Sequence, residues 1–206
     1  MKKNIDIICI IDKSGSMSPI KNDAIGGFNS FLEDQKKAEY QAFMTIVLFD
    51  TRFKKISDEI AVQKIEPLNG TTYSPGGNTA LYDAIGQEID NYLDYLASLP
   101  KEERSEKALF VILTDGEENS SKIYHKELIK NMIEDVRENI GIEFIYLGAN
   151  QDSFLAATNI GISGNNSFNY AATGDGIKLA YSKISEATAY YSTTEAKEDL
   201  FQQEKK

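Results

Sequence analysis

Two apolar runs in this chain stop on a carboxylate. Ile7–Ile11 leads into Asp12-Lys13-Ser14-Gly15-Ser16-Met17, and Ala108–Leu113 into Thr114-Asp115-Gly116. A third segment, turn-rich through Asn69-Gly70 and Ser74-Pro75-Gly76-Gly77, delivers Thr79 to the mouth of a helix. In open α/β sheets ligands bind beyond the carboxyl ends of the strands. Such a sheet gathers Asp12, Ser14, Ser16, Thr79 and Asp115 at one edge. Their donor atoms are carboxylate and hydroxyl oxygens, a hard set that suits Mg²⁺, Mn²⁺ or Ca²⁺ and disfavours zinc or copper, which take His and Cys readily. Mg²⁺ keeps some water, which suits a site with few charges, and Mn²⁺ and Ca²⁺ stay open beside it. Neutral serine ligands leave the ion Lewis acidic and receptive to a further anionic oxygen. Gly15 lets the loop run close to the ion. Ser and Asp are also favoured in helix-capping turns. Alone, Asp12-x-Ser14-x-Ser16 reads as such a turn, and Thr79 and Asp115 tip the balance toward a site.

The elements that must position these residues alternate between strand-like and helix-like segments, the pattern of an α/β domain with a mainly parallel sheet. A strand over Ile5–Ile11 precedes a helix opened by Ser18-Pro19, with Ser as N-cap, Pro in the first turn, and Ile20, Ala24, Phe28, Phe31 and Leu32 on one face. Phe43–Phe49 and Arg52–Ile60 flank a turn at Asp50-Thr51 and predict an antiparallel hairpin. The long connection to Thr79 marks itself as functional by its length. A helix is expected from about Thr79 to Ala97, and Lys101–Lys107 as a solvated link. Ala108–Leu113 has the unbroken apolarity of a strand covered on both faces. Beyond it come a helix from His125 to Asn139, a strand over Glu143–Leu147, and a short helix Asp152–Asn159 ended by Gly161. A strand Ser167–Ala171 and a helix Asp175–Tyr191 follow. The expected organisation is a single domain over residues 1–194 and a polar, fraying tail over 195–206.

Bulk properties narrow the function classes. The chain has 206 residues, enough for one large domain with a substantial core. Its formal net charge of −10 argues against a duplex nucleic-acid binder, which needs a basic footprint. Cys9 is the only cysteine, so neither an internal disulfide nor a Cys-based zinc site is available. It falls within an apolar strand and reads as core. Asp6 interrupts the N-terminal apolar run, so no signal-peptide core is expected there, and no stretch reaches membrane-spanning length. A cytoplasmic location without membrane contact follows as the expectation.

The run Asp12-x-Ser14-x-Ser16, with Thr79 and Asp115 behind it, resembles the metal-ion-dependent adhesion site (MIDAS) of von Willebrand factor type A (VWA) domains. The segments IDIICIIDKSGSMS, GGNTALYDAI and LFVILTDGEEN carry the same likeness, which extends in order from Ile5 to the last helix. The resemblance implies a Rossmann-like, doubly wound α/β fold: a six-stranded, mainly parallel sheet with one antiparallel edge strand and helices on both faces. It implies that Ser14 and Ser16 coordinate the ion through their hydroxyls. Thr79 would bind directly in one state and through water in another, and Asp12 and Asp115 directly or through water. The remaining coordination position is where an acidic side chain of a protein partner docks. Stand-alone prokaryotic and phage relatives work beside AAA+ ATPases or in stress systems, which makes those the implied partners. The expected function is thus non-enzymatic, metal-dependent protein binding. The family also includes extracellular adhesins and members that switch conformation at the threonine.

An alternative is a Mg²⁺-dependent phosphotransferase or hydrolase. A strand-end Asp with Mg²⁺ is similar to haloacid dehalogenase phosphatases, but those need a second Asp two positions on, where this chain has Ser14. No phosphate-binding G-x-x-x-x-G-K-[ST] loop occurs. His125, the single histidine, reads as a surface residue near a helix start. Asp83, one turn past Thr79, is either a loop-orienting group or an ordinary polar helix position, the latter being the commoner case. Glu117 and Glu118 either extend an acidic rim or do nothing specific. Asn150, Gln151 and Asp152 are candidates for a second line of the binding face, with Asp152 equally an N-cap. Tyr190-Tyr191 is expected to pack a helix end.

Overall fold

The computed structural model describes residues 4–149, 151–197 and 199–201. Six strands form one sheet in the order β3-β2-β1-β4-β5-β6. The strands are β1 (Asn4–Asp12), β2 (Gln41–Phe49), β3 (Phe53–Ala61), β4 (Lys107–Thr114), β5 (Glu143–Ala149) and β6 (Ser167–Tyr170). β2 and β3 pair antiparallel around Asp50–Arg52, so β3 is an antiparallel edge, while the other pairings are parallel. Fold class and hairpin therefore agree with expectation.

Helices α1 (Lys21–Lys37) and α5 (Gly174–Thr193) cover one face, and α2 (Leu81–Ser98) and α3 (Lys126–Asn139) the other, beside the short α4 (Ser153–Asn159). The alternation of β1 divides its side chains between two cores. Ile5, Ile7, Cys9 and Ile11 face α1 and α5, and Ile8 and Ile10 face α2 and α3. Each fully buried isoleucine contributes roughly 1.5–3 kcal/mol. With both faces covered, β1 and β4 tolerate polar groups only where partners wait, which is mainly at their ends. The crossover after β1 runs on one face and the one leading to β4 on the other. Their carboxyl ends therefore flank the crevice at which such sheets bind ligands.

The structure corrects several boundaries. Ser18 does not cap a helix: Gly15–Ile20 forms a 3-10 turn with Pro19 inside it, and the α-helix starts at Lys21. The tight turn arises because Met17 N donates back to the Ser14 carbonyl at 3.1 Å. Thr79 lies outside α2, which begins at Leu81, because its backbone groups are taken by another loop. Lys101–Glu103 is a short 3-10 turn within the expected link. Asp152 is the N-cap of α4, accepting from Leu155 N at 3.0 Å, and Gly161 ends that segment at φ +86°. The expected fraying does not extend to Leu200 and Phe201, which are buried. Leu200 N donates to Asn166 Oδ1, and the Phe201 ring packs at a tilt against Phe168, centroids 5.8 Å apart. Asn150 lies outside the described residues. Among those described, no helix is long and apolar enough to cross a membrane.

Candidate metal centre

Asp12 closes β1 with its side chain fully buried. One carboxylate oxygen accepts from Ser14 N and the other from the Thr114 hydroxyl, each at 2.6 Å. The first bond folds the chain back after Asp12 and turns the Ser14 hydroxyl inward, 3.0 Å from that of Ser16. Ser16 Oγ in turn donates to Asp115 Oδ1 at 2.6 Å. An unbroken line of oxygens thus runs from the end of β1 to the end of β4.

Thr79 joins through Gly116. A methyl group placed on Gly116 would come within 3.2 Å of Thr79 Oγ1 and 3.7 Å of Ser16 Oγ. Both hydroxyls face the same small space, which a side chain at position 116 would crowd. All five residues singled out from the sequence are therefore brought to one spot, with Ser16 at its exposed mouth and the other four buried.

The loops are stitched together beneath it. Gly15 N donates to the Gly77 carbonyl, Gly76 N to the Lys13 carbonyl, and Ala80 N to the Asp50 carbonyl. Gly77 sits at φ +74°, where a side chain would strain the backbone and press on Thr51 and Asp50. Lys13 is buried and pairs its ammonium with Asp50, which also accepts from Arg52 N at 2.7 Å. Burial pushes the Asp50 carboxyl up, but the bonds from Lys13 and Arg52 outweigh it and hold the group below the usual carboxylate range. Tyr73, a buried residue of the Gly-rich connection, donates to the Asp12 carbonyl at 2.6 Å, and Tyr170 donates to that of Thr114 at 3.1 Å. Neither tyrosine is visible as a site residue from sequence, since nothing in the spacing points a ring at a strand end.

Both carboxyls are held above their ordinary range. For Asp12 burial dominates, opposed by the Thr114 and Ser14 hydrogen bonds and reinforced by the charge of Asp115. For Asp115 burial again exceeds the lowering effect of Ser16. Two desolvated carboxyls, one of them further raised by the charge of the other, form an environment that a cation would relieve. Among the described residues no group of three or more His, Cys, Asp or Glu side chains is placed to hold a metal. A centre here must rely on hydroxyls beside its two acids, and this donor set fits a hard divalent ion.

The surrounding residues divide. Asp83 orients the neighbouring loop: its carboxylate accepts from Lys122 N, Ile123 N and Tyr124 N at 2.8–2.9 Å. Glu118 is equally specific, accepting from Tyr82 N, Ser120 N and Ser121 N. Glu117 is exposed. Gln151 approaches the Gly116 carbonyl at 3.5 Å and the Tyr146 hydroxyl at 3.1 Å, so it borders the site. His125 is exposed and caps α3 by accepting from Leu128 N. Tyr191 is buried.

No curated protein matches the sequence. Solved structures resemble the fold. The von Willebrand factor domain of the type V pili tip protein Mfa5 from Porphyromonas gingivalis aligns with a TM-score of 0.64 at 11% identity, covering 95% of this chain and 98% of that one. Proximal thread matrix protein 1 from the mussel byssus aligns with a TM-score of 0.61 at 15% identity, covering 91% of this chain and 47% of that one. A further structure of the mussel protein, with a zinc-occupied MIDAS motif, aligns with a TM-score of 0.59 at 18% identity, covering 91% and 46%. The chain thus spans about half the length of the mussel protein. A family model for the von Willebrand factor type A domain matches residues 6–183, most of the sequence, and the chain belongs to that family.

Proposed function

We propose that Asp12, Ser14, Ser16, Thr79 and Asp115 hold one divalent cation and that this cation presents an open coordination position to an acidic side chain of a protein partner. The observation that supports this most directly is the continuous line of hard oxygens from Asp12 through Ser14 and Ser16 to Asp115, with Thr79 facing the same space. VWA domains are commonly metal-dependent adhesion or protein-interaction modules, which agrees with the reading. The domain that acts is taken as residues 1–194.

Mg²⁺ is the proposed ion, on ligand hardness and the small number of charges. The mussel relative carries zinc in its MIDAS motif, so Mn²⁺, Ca²⁺ and Zn²⁺ belong in the same titration. The role of the chain's residues is to bind and orient the ion: the carboxylates offset its charge, and the hydroxyls leave it electron-poor. The function is proposed as non-enzymatic and cytoplasmic, with an AAA+ ATPase or stress-system component as the partner class. The pilus and byssus relatives point instead outside the cell, and cell fractionation decides the compartment.

The test is calorimetric titration of metal-free protein with Mg²⁺, followed by EDTA-eluted affinity capture identified by mass spectrometry. Saturable 1:1 binding that disappears in Asp12→Ala and Ser14→Ala is expected, with partner capture lost in parallel. Undiminished capture in EDTA overturns the metal-dependent reading. Phosphate release from common esters, lost in Asp12→Ala, overturns the non-enzymatic one.

A further inference from the structure

Helix α2 starts without a cap of its own. Its N-cap residue is Ala80, which has no side-chain oxygen, although the first amides of any helix lack intrahelical acceptors. The loop after Asp115 supplies them. Glu118 Oε2 accepts from Tyr82 N at 2.9 Å and Ser121 Oγ from Asp83 N at 3.0 Å. Asp83 answers in the opposite direction, accepting from the amides of Lys122, Ile123 and Tyr124. Asn119, between Glu118 and Ser121, treats Thr79 in the same reciprocal way. Its Oδ1 accepts from Thr79 N, and its own backbone N donates to the Thr79 carbonyl, both at 3.0 Å.

The consequence for the site is geometric. Thr79 lies ahead of α2, so no helical ladder orients it. Two bonds from one residue bracket its backbone on both sides and so set where its hydroxyl points. That residue stands four positions after Asp115, on the same loop. We propose that Asn119 is a positioning residue for the metal centre: it clamps Thr79 to the Asp115 loop, so that these two ligands enter the site as one unit. The proposal rests on the reading that the five residues hold a cation. Asn119 is exposed, so replacing it leaves the core untouched.

The experiment is calorimetric titration of the full chain with Mn²⁺, with thermal melting in EDTA as a check on folding. Asn119→Ala removes the acceptor for Thr79 N and is expected to weaken Mn²⁺ binding roughly tenfold, the lower end for loss of a partner that orients a metal ligand. Asn119→Asp keeps an acceptor in place and should retain the wild-type affinity to within about twofold, since carboxylate and amide oxygens accept alike. In a Thr79→Val background, where no hydroxyl remains to be positioned, Asn119→Ala should weaken binding no further. A purely structural role would lower affinity in both backgrounds, and that result overturns the proposal, as does unchanged affinity in Asn119→Ala. Absence of Mn²⁺ uptake by the wild type defeats the metal reading itself and this inference with it.

Discussion

β1 carries a buried aspartate near each end, Asp6 and Asp12, and their side chains point to the same face of the sheet. Each accepts two hydrogen bonds, Asp6 from the Tyr92 and Ser105 hydroxyls and Asp12 from Ser14 N and Thr114. Burial raises both carboxyls above their ordinary range. The difference lies in what surrounds them. Around Asp12 stand Ser14, Ser16 and Thr79, short side chains whose hydroxyls turn either lone pair or proton toward a guest, and Gly116 leaves them room. On the side of Asp6 stand Tyr92, Glu59, Glu88 and Lys55, long side chains with charges or rings of their own. Lys55 already supplies a cation to Glu88 at 3.3 Å. Acidity and burial are thus shared by the two ends, and the small, reorientable oxygen donors distinguish the candidate site.

The largest expected effect separates the ends directly. Asp12→Ala removes a proposed ligand and should lower divalent-cation affinity by more than about 100-fold, past detection, whereas Asp6→Ala should leave it within about twofold. Calorimetry on both variants measures this, and a matching loss in Asp6→Ala would abolish the distinction. Stability should reverse the ranking. Asp6→Ala leaves the Tyr92 and Ser105 hydroxyls without their acceptor and should cost about 2 kcal/mol. In EDTA, Asp12→Ala should cost less, because Thr114 keeps its bond to the Gly116 carbonyl and only Ser14 N loses its acceptor. Urea denaturation of both variants sharpens the comparison, and a larger loss for Asp12→Ala would contradict it.

A third effect is a pH dependence at the Asp6 end. Burial, and then the nearby charge of Asp6, push the Glu59 carboxyl from 4.5 up to about 8, and its Oε2 has no hydrogen-bond partner. The folded state therefore holds a proton that the unfolded chain has released. Stability should fall as pH rises from about 4.5 through about 8, since the folded state binds more protons across that window. Glu59→Gln should flatten the decline, read as urea midpoints in EDTA from pH 5 to 8.5. An unchanged slope would remove Glu59 as its source.

The alternation of apolar and polar segments made the strands, the helices and the hairpin at Asp50 legible, because burial on two faces demands a distinctive pattern. The five oxygen-bearing residues were legible because they follow strand ends or close the Gly-rich connection ahead of a helix. What escaped were partners chosen across the fold. Asp83 could be read as loop-orienting or as an ordinary polar helix residue, and only the amides of Lys122–Tyr124 turned toward it decide between the two. Ser18-Pro19 has the composition of a helix start, yet the bond from Met17 N to the Ser14 carbonyl spends that turn on the loop geometry.

By itself, then, the sequence determined the layered fold and named Asp12, Ser14, Ser16, Thr79 and Asp115, since periodicity and residue type are local properties. Only the tertiary structure decided that Thr79 stands outside its helix in the grip of Asn119. It also decided that Glu118 and Ser121 cap α2 in place of Ala80, and that Tyr73 braces the Asp12 carbonyl. Backbone donors and acceptors must be satisfied, but which distant side chain satisfies them depends on which loops the closed sheet brings together.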